Sequence, residues 1–73
     1  MTYLNGAIPE NKTLEYGDIF GSVDGSVSTY MYIEGGQYIV RTTTHGSPMI
    51  WDYADTFGEA QAEFKRHLRA YHV

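Results

Sequence analysis

The sequence predicts an α+β domain, built as an antiparallel β-meander of three to five strands with one C-terminal amphipathic α-helix packed on one face. Two turn signals predict the sheet, because Asp24-Gly25 and Gly35-Gly36 each join runs of β-branched and aromatic residues, as two-residue hairpin loops do. One periodic pattern predicts the helix, because apolar residues recur at steps of three and four after residue 56. A sheet with one apolar face and a helix with one apolar stripe are expected to bury each other.

The size and composition of the chain predict a single domain over residues 1–73 and limit its partners. With 73 residues and no cysteine, the fold must be held by its core, without disulfides or a thiolate metal site. Nine acidic residues against five basic ones disfavour direct binding of nucleic acid, which needs clustered Lys and Arg. The first residues lack the basic and apolar regions of a signal peptide, and no stretch is long enough to span a membrane, so a cytoplasmic location is expected.

Residues 1–16 form the least regular part of the sequence. Asn5-Gly6 is a turn signal, and Pro9 cannot sit in a central strand, so a short edge hairpin or an extended arm is expected here. This segment also contains apolar residues that could fold back over the sheet, namely Tyr3, Leu4, Ile8, Leu14 and Tyr16.

The segment before Asp24-Gly25 predicts the first strand of the meander, since it contains the strand formers Ile19, Phe20 and Val23. A turn made of Asp24 and Gly25 places Phe20 opposite Thr29. Gly21, in the middle of this strand, indicates a bulge or a close approach of another part of the chain.

The hairpin around Gly35-Gly36 fixes a register and two faces. It places Glu34 opposite Gln37, and the pairing continues to Thr29 opposite Thr42. Because side chains alternate along a strand, one face is predicted to be the core face, with Val27, Thr29, Met31, Ile33, Tyr38 and Val40. The other face carries Tyr30, Tyr32, Ile39 and Arg41.

The remaining elements are a fourth strand and the helix. Residues 49–53 predict the strand, after a loop at residues 45–48, and its Trp51 is expected to be a major packing residue because one indole buries on the order of 200 Å². Thr56 and Glu59 match a capping box, in which the Thr56 hydroxyl accepts from the Glu59 amide. The apolar stripe behind them consists of Phe57, Ala60, Phe64, Leu68 and Tyr71.

No group of reactive residues matches an active site or a metal site. His67 and His72 are five residues apart, which places their side chains about 140° apart on a helix, whereas chelating pairs are three or four residues apart. The three histidines are therefore expected to lie on the surface, with no metal and no cofactor. Ser47 and His45 match no nucleophile motif, and a domain of this size has little room for a cleft, so no enzymatic activity is expected.

The second face of the central hairpin is the candidate functional surface, because it is too aromatic for plain solvent-exposed sheet. Tyr and Arg are enriched at interface hot spots, so this face is expected to bind a protein, unless residues 1–16 cover it or it forms a homodimer. The acidic charge suits a basic partner, and a purely solubilising role is the alternative. The predicted partner-binding residues are Tyr30, Tyr32, Glu34, Ile39, Arg41, Asp18 and Asp24.

An acidic chain of this length, without cysteine and built as a short antiparallel meander with one helix, resembles the small proteins that bacteriophages and mobile elements encode. Among these it is similar to anti-CRISPR proteins. The resemblance covers the whole chain and lies in size, charge and strand order. It implies a non-enzymatic inhibitor that binds a basic surface of a bacterial nucleic-acid-handling complex in the host cytoplasm. The alternative is a structural or assembly protein that forms a homodimer through the same sheet face.

Overall fold

The computed structural model describes residues 1–9, 11–45 and 49–72. They form a five-stranded sheet, with the strands adjacent in chain order, followed by a helix. The elements are β1 (Thr2–Leu4), β2 (Ile19–Asp24), β3 (Val27–Glu34), β4 (Gln37–Thr43), β5 (Ile50–Ala54) and α1 (Phe57–Tyr71). α1 packs on β3, β4 and β5, so the predicted α+β class and its helix-on-sheet arrangement are confirmed. Residues 46–48 of the predicted loop lie outside the described residues.

The predicted pairing of the β3–β4 hairpin is confirmed from Glu34 opposite Gln37 to Thr29 opposite Thr42. The two loop glycines have φ values of 61° and 80°. A type I′ turn requires positive φ at both central positions, and glycine adopts it without a Cβ clash. The turn therefore fixes which side chains of β3 and β4 face the helix.

The predicted pairing of β2 with β3 is wrong by two residues. The turn consists of Gly25 and Ser26, and Phe20 lies opposite Met31 instead of Thr29. Gly25 has a φ of 60°, as the first central residue of a type II′ turn requires. Because the error is an even number of residues, Phe20 still lies on the predicted core face.

β1 is an edge strand that runs parallel to β2, so it is neither a hairpin nor a free arm. Adjacent parallel strands need a long connection, which residues 5–18 provide. This connection passes on the helix side, where Leu14 is buried in the core and Ile8 packs against it. Its described residues therefore leave the middle of the opposite face of the sheet open.

Asp18 holds the end of this connection. One of its carboxylate oxygens accepts from the Glu15 amide at 3.1 Å and lies 3.3 Å from Lys12 Nζ, and the other lies 3.3 Å from the amino group of Met1. The Glu15 amide, followed by Lys12 and the terminal amine, lowers the pKa of Asp18 below its ordinary value, although burial acts in the opposite direction. The hydrogen bond with the Asp18 carboxylate raises the pKa of Lys12.

We expect Asp18→Asn to destabilise the protein at neutral pH and to lose this effect in acid. A carboxyl group whose folded pKa lies below its unfolded value of about 3.9 stabilises the fold above that value, and the contribution is lost as pH falls through the folded pKa. Urea-unfolding midpoints of wild type and Asp18→Asn should therefore converge as the pH falls below about 4. Exposed Asp24→Asn is the matched control, and a gap for Asp18→Asn that persists in acid would contradict the assignment.

α1 begins as predicted, because the Thr56 hydroxyl accepts from the Glu59 amide at 3.2 Å. Its apolar stripe faces the sheet, although the fully buried positions also include His67. The core cluster consists of Leu14, Phe20, Met31, Val40, Ala54, Ala60 and Phe64. Within the described residues, no helix combines the length and the apolar character needed to cross a membrane.

Candidate functional site on the outer face of the sheet

The outer face, defined as the side of the sheet opposite α1, carries two cross-strand rows of side chains. One row contains Tyr30, Arg41 and Trp51, and the next contains Tyr32, Ile39 and Tyr53. Directly paired residues point to the same side of a sheet, so each row crosses β3, β4 and β5 on one face. Trp51 is 42% exposed and Tyr53 is 59% exposed. Trp51, which the sequence predicted to be a major packing residue, is thus partly exposed and lies on the outer face, outside the core cluster.

Arg41 lies at the centre of these aromatic rings. Its guanidinium carbon is 5.5 Å from the ring centroid of Tyr30, 5.4 Å from that of Tyr32 and 5.7 Å from that of Trp51. These distances fall within the range of about 6 Å over which a cation is attracted to an aromatic face. The rings therefore hold the guanidinium in place on the outer face.

The N–H donors of Arg41 are poorly used. Among the described residues, Nε is buried without a hydrogen-bond partner, and the one polar contact of the guanidinium is from Nη1 to Met49 Sδ at 3.9 Å. No carboxylate forms an ion pair with Arg41 among the described residues. A buried donor without a partner typically costs about 1–3 kcal/mol. The site therefore holds a cation that pairs with no anion in the part of the chain that the structure describes.

Gly21 allows the first row to sit against β2. A Cβ atom at this position would lie 2.7 Å from Leu4 Cδ2 and 2.8 Å from Tyr30 Cδ1. Such distances are shorter than real carbon–carbon contacts, so a larger residue would displace the Tyr30 ring. The close approach that Gly21 indicated in the sequence is confirmed, and it positions one of the three rings around Arg41.

An open cleft of about 580 Å³ lies beside Arg41, with walls that include Thr2, Tyr16, Ile19, Tyr30 and Tyr32. A second groove, of about 810 Å³, lies on the helix side between the connection and α1. The expectation that so small a domain has little room for a cleft is therefore wrong. The outer cleft differs from the helix-side groove because aromatic rings surround a cation in it.

The other predicted partner-binding residues do not all lie on the outer face. Glu34 is exposed on it beside the β3–β4 turn, whereas exposed Asp24 pairs with Val27 and therefore points to the helix side. Asp18 lines the cleft but is buried and ion-paired. Ile39 is only 5% exposed, so it supports the surface from below. The face therefore has a cationic and aromatic centre, with the exposed carboxylate of Glu34 at one end.

The helix side contains a buried hydrogen-bond chain that the sequence analysis missed. It runs from Asp52 through His67, Thr42 and Thr29 to His72, with successive side-chain distances of 2.5, 2.7, 2.7 and 2.7 Å. His67 and both threonines are fully buried. The expectation of surface histidines is therefore wrong for His67.

Part of this chain has the connectivity of a nucleophile, a base and an orienting acid. The Thr42 hydroxyl contacts His67 Nδ1, and His67 Nε2 contacts Asp52. Thr42, however, is 0% exposed, and its hydroxyl is also bonded to Thr29. The arrangement supplies partners for buried polar groups and offers no nucleophile to a substrate in solution.

A cluster that shares Asp52 and His67 with the buried hydrogen-bond chain has the composition of a metal site. Asp52, Glu63 and His67 each place one ligand atom within 4.8 Å of the others. Arg66 Nη2 lies 2.6 Å from an oxygen of each of the two carboxylates. The contacts with Glu63 and Asp52 raise the pKa of the Arg66 guanidinium. The positive charge that a metal would bring is thus already supplied by Arg66.

The sequence matches no protein-family model, and neither the curated proteins nor the solved structures contain a significant match to it. The functional argument therefore rests on the geometry of the two sides of the sheet. The helix side holds the core, the buried hydrogen-bond chain and the larger groove, whereas the outer face presents partly exposed rings around a cation, Arg41.

Proposed function

We propose that this chain is a non-enzymatic protein-binding inhibitor that docks the outer face of its sheet on a protein partner. The observation that carries the proposal is the group of partly exposed rings of Tyr30, Tyr32 and Trp51 around Arg41, with exposed Tyr53 in the adjacent row. Tyr, Trp and Arg are the residue types most enriched at interface hot spots. Aromatic side chains also contribute a large contact area at a low cost in conformational entropy.

The proposed partner is a basic surface of a bacterial nucleic-acid-handling complex in the host cytoplasm, as the resemblance to anti-CRISPR proteins implies. The net charge of −4 supports this choice. Exposed Asp24 and Glu34, at the ends of the two hairpins, would steer the chain toward such a surface. Occupation of the surface would exclude nucleic acid, so inhibition would need no chemical step.

We expect Tyr32→Ala and Tyr53→Ala to weaken partner binding by about 2 kcal/mol or more, while changing the free energy of unfolding by less than about 1 kcal/mol. Capture from a bacterial lysate with wild type, followed by mass spectrometry, identifies the partner, and calorimetry with the purified partner measures each variant. Arg69→Ala, on the exposed side of α1, is the control and should bind like wild type.

The inhibitory step is tested with the same purified partner. Wild type should displace nucleic acid from the partner, and the two tyrosine variants should do so only at higher concentration. Equal capture of the partner by wild type and both tyrosine variants would move the contact away from the outer face.

The alternative function is a structural or assembly role, in which the outer face forms a homodimer. The same exposed rings favour it, because a two-fold interface needs one self-complementary patch. Sedimentation at micromolar concentration separates the two functions. A dimer that Tyr53→Ala converts to a monomer supports the structural role, whereas a monomeric wild type excludes it at that concentration.

A further inference from the structure

We propose that Arg41 receives a carboxylate of the protein partner in the aromatic cleft of the outer face, an inference that rests on the proposed function and names the chemistry of its central contact. The partner would supply an Asp or Glu side chain, or a C-terminal carboxylate, next to an apolar residue. The site would therefore bind one carboxylate of the partner within an otherwise apolar contact.

The first argument is the state of the guanidinium. A guanidinium carries five N–H donors in a planar fork, whose geometry matches a carboxylate. In Arg41, within the described ranges 1–9, 11–45 and 49–72, Nε is buried without a partner and Nη1 has only the weak acceptor Met49 Sδ. Among the described residues, Arg66, Lys12 and the Met1 amine each pair with a carboxylate, whereas Lys65 and Arg69 form no ion pair but are exposed to solvent on α1. Arg41 is held by rings instead, so its charge remains available to an incoming anion.

The second argument is the surroundings. Tyr30, Tyr32 and Trp51 stack around the guanidinium and limit its rotation, so less freedom is lost when an anion binds. Covering the cleft with an apolar segment would remove water and strengthen the ion pair. The walls therefore select an anion that is attached to an apolar group.

The third argument concerns the type of anion. Nucleic acid presents rows of phosphates and is bound by clustered cations, whereas this cleft has a single cation, and Asp18 lines its rim. A single carboxylate fits this charge pattern better than a phosphate chain. The full contact would then have two zones, with the carboxylate of the partner at Arg41 and its basic residues facing Glu34, which lies on the same face.

The test uses a fragment probe on the full chain, so it does not depend on knowing the partner. The probe is 3-phenylpropionate, which joins a carboxylate to an aromatic ring, and 3-phenylpropionamide is the matched neutral probe. Nitrogen–proton NMR spectra follow the Arg41 Nε–H and the Trp51 indole N–H. We expect the carboxylate probe to shift both signals saturably, and the amide to bind at least roughly tenfold more weakly, as for the loss of a charge-assisted pair.

Variants locate the binding. Arg41→Gln should weaken binding of 3-phenylpropionate at least roughly tenfold, and Arg69→Gln, on the exposed side of α1, should leave it unchanged. If Arg41→Gln does not fold, Arg41→Lys replaces it, because lysine keeps the charge but lacks the planar fork and should also bind more weakly.

Three results would overturn the inference. They are equal binding of the acid and the amide, unchanged binding in the Arg41 variants, and tighter Arg41-dependent binding of inorganic phosphate than of the carboxylate. The proposed function is tested separately. If the partner needs Tyr32 and Tyr53 but not Arg41, the docking face stands and the carboxylate contact does not.

Discussion

Replacing Phe64 by alanine is expected to leave the protein largely unfolded. Phe64 is a core residue at the centre of the helix stripe, where α1 packs on the sheet. Truncation of a buried phenylalanine costs about 3–5 kcal/mol, which is comparable with the whole stability of a domain this small. Circular dichroism and urea unfolding measure the loss.

Lys65→Ala is the matched control for Phe64→Ala, because Lys65 is the exposed neighbour on the same helix and alanine is a good helix former. The control should unfold near the wild-type midpoint. A Phe64→Ala protein with the spectrum and midpoint of the control would show that α1 does not hold the sheet.

His67→Ala is expected to cost about 2–4 kcal/mol in the free energy of unfolding. The substitution leaves a cavity where a fully buried ring packed, and it takes from Asp52 and Thr42 one hydrogen-bond partner each. Urea unfolding measures this cost, with exposed His45→Ala as the control. Equal unfolding midpoints for His67→Ala and His45→Ala would contradict the burial and the hydrogen bonds of His67.

A double-mutant cycle separates the hydrogen bond from the packing of His67. His67→Leu and Thr42→Val each remove one partner of a buried contact, and together they replace both with apolar groups. The double variant should be less destabilised than the sum of the two single variants. Strict additivity would mean that the contact between the two side chains contributes nothing.

The sequence specified the middle of the sheet better than its edges. Gly35-Gly36 is compatible with one two-residue turn, and the pairing of β3 with β4 was therefore predicted residue by residue. Around Gly25, two neighbouring turns are compatible with the same residues, and only the packing of Phe20 against Met31 distinguishes them. β1 has three residues and pairs with a strand that begins fifteen residues after it ends, so no local pattern could predict its parallel direction.

Only part of the candidate site was predicted, because local sequence patterns do not specify which distant strands pair. Alternation in β3 and β4 placed Tyr30, Tyr32 and Arg41 on one face, but Trp51 joins them only through the pairing of β5 with β4. The burial of His67 was not predicted, because its five-residue spacing from His72 excludes a chelating pair but says nothing about burial. Its position three residues after Phe64 places it on the buried side of the helix, which was the available signal.

The buried chain links the tautomers of its two histidines. Each threonine hydroxyl has one hydrogen, so when each hydroxyl donates within the hydrogen-bond chain, both donate in the same direction. With neutral His67 donating from Nε2 to Asp52, both hydroxyls donate toward His67, and His72 donates from Nε2. The tautomers of the two rings are therefore coupled through the two hydroxyls, and nitrogen NMR of the rings should find the hydrogen on Nε2 in both.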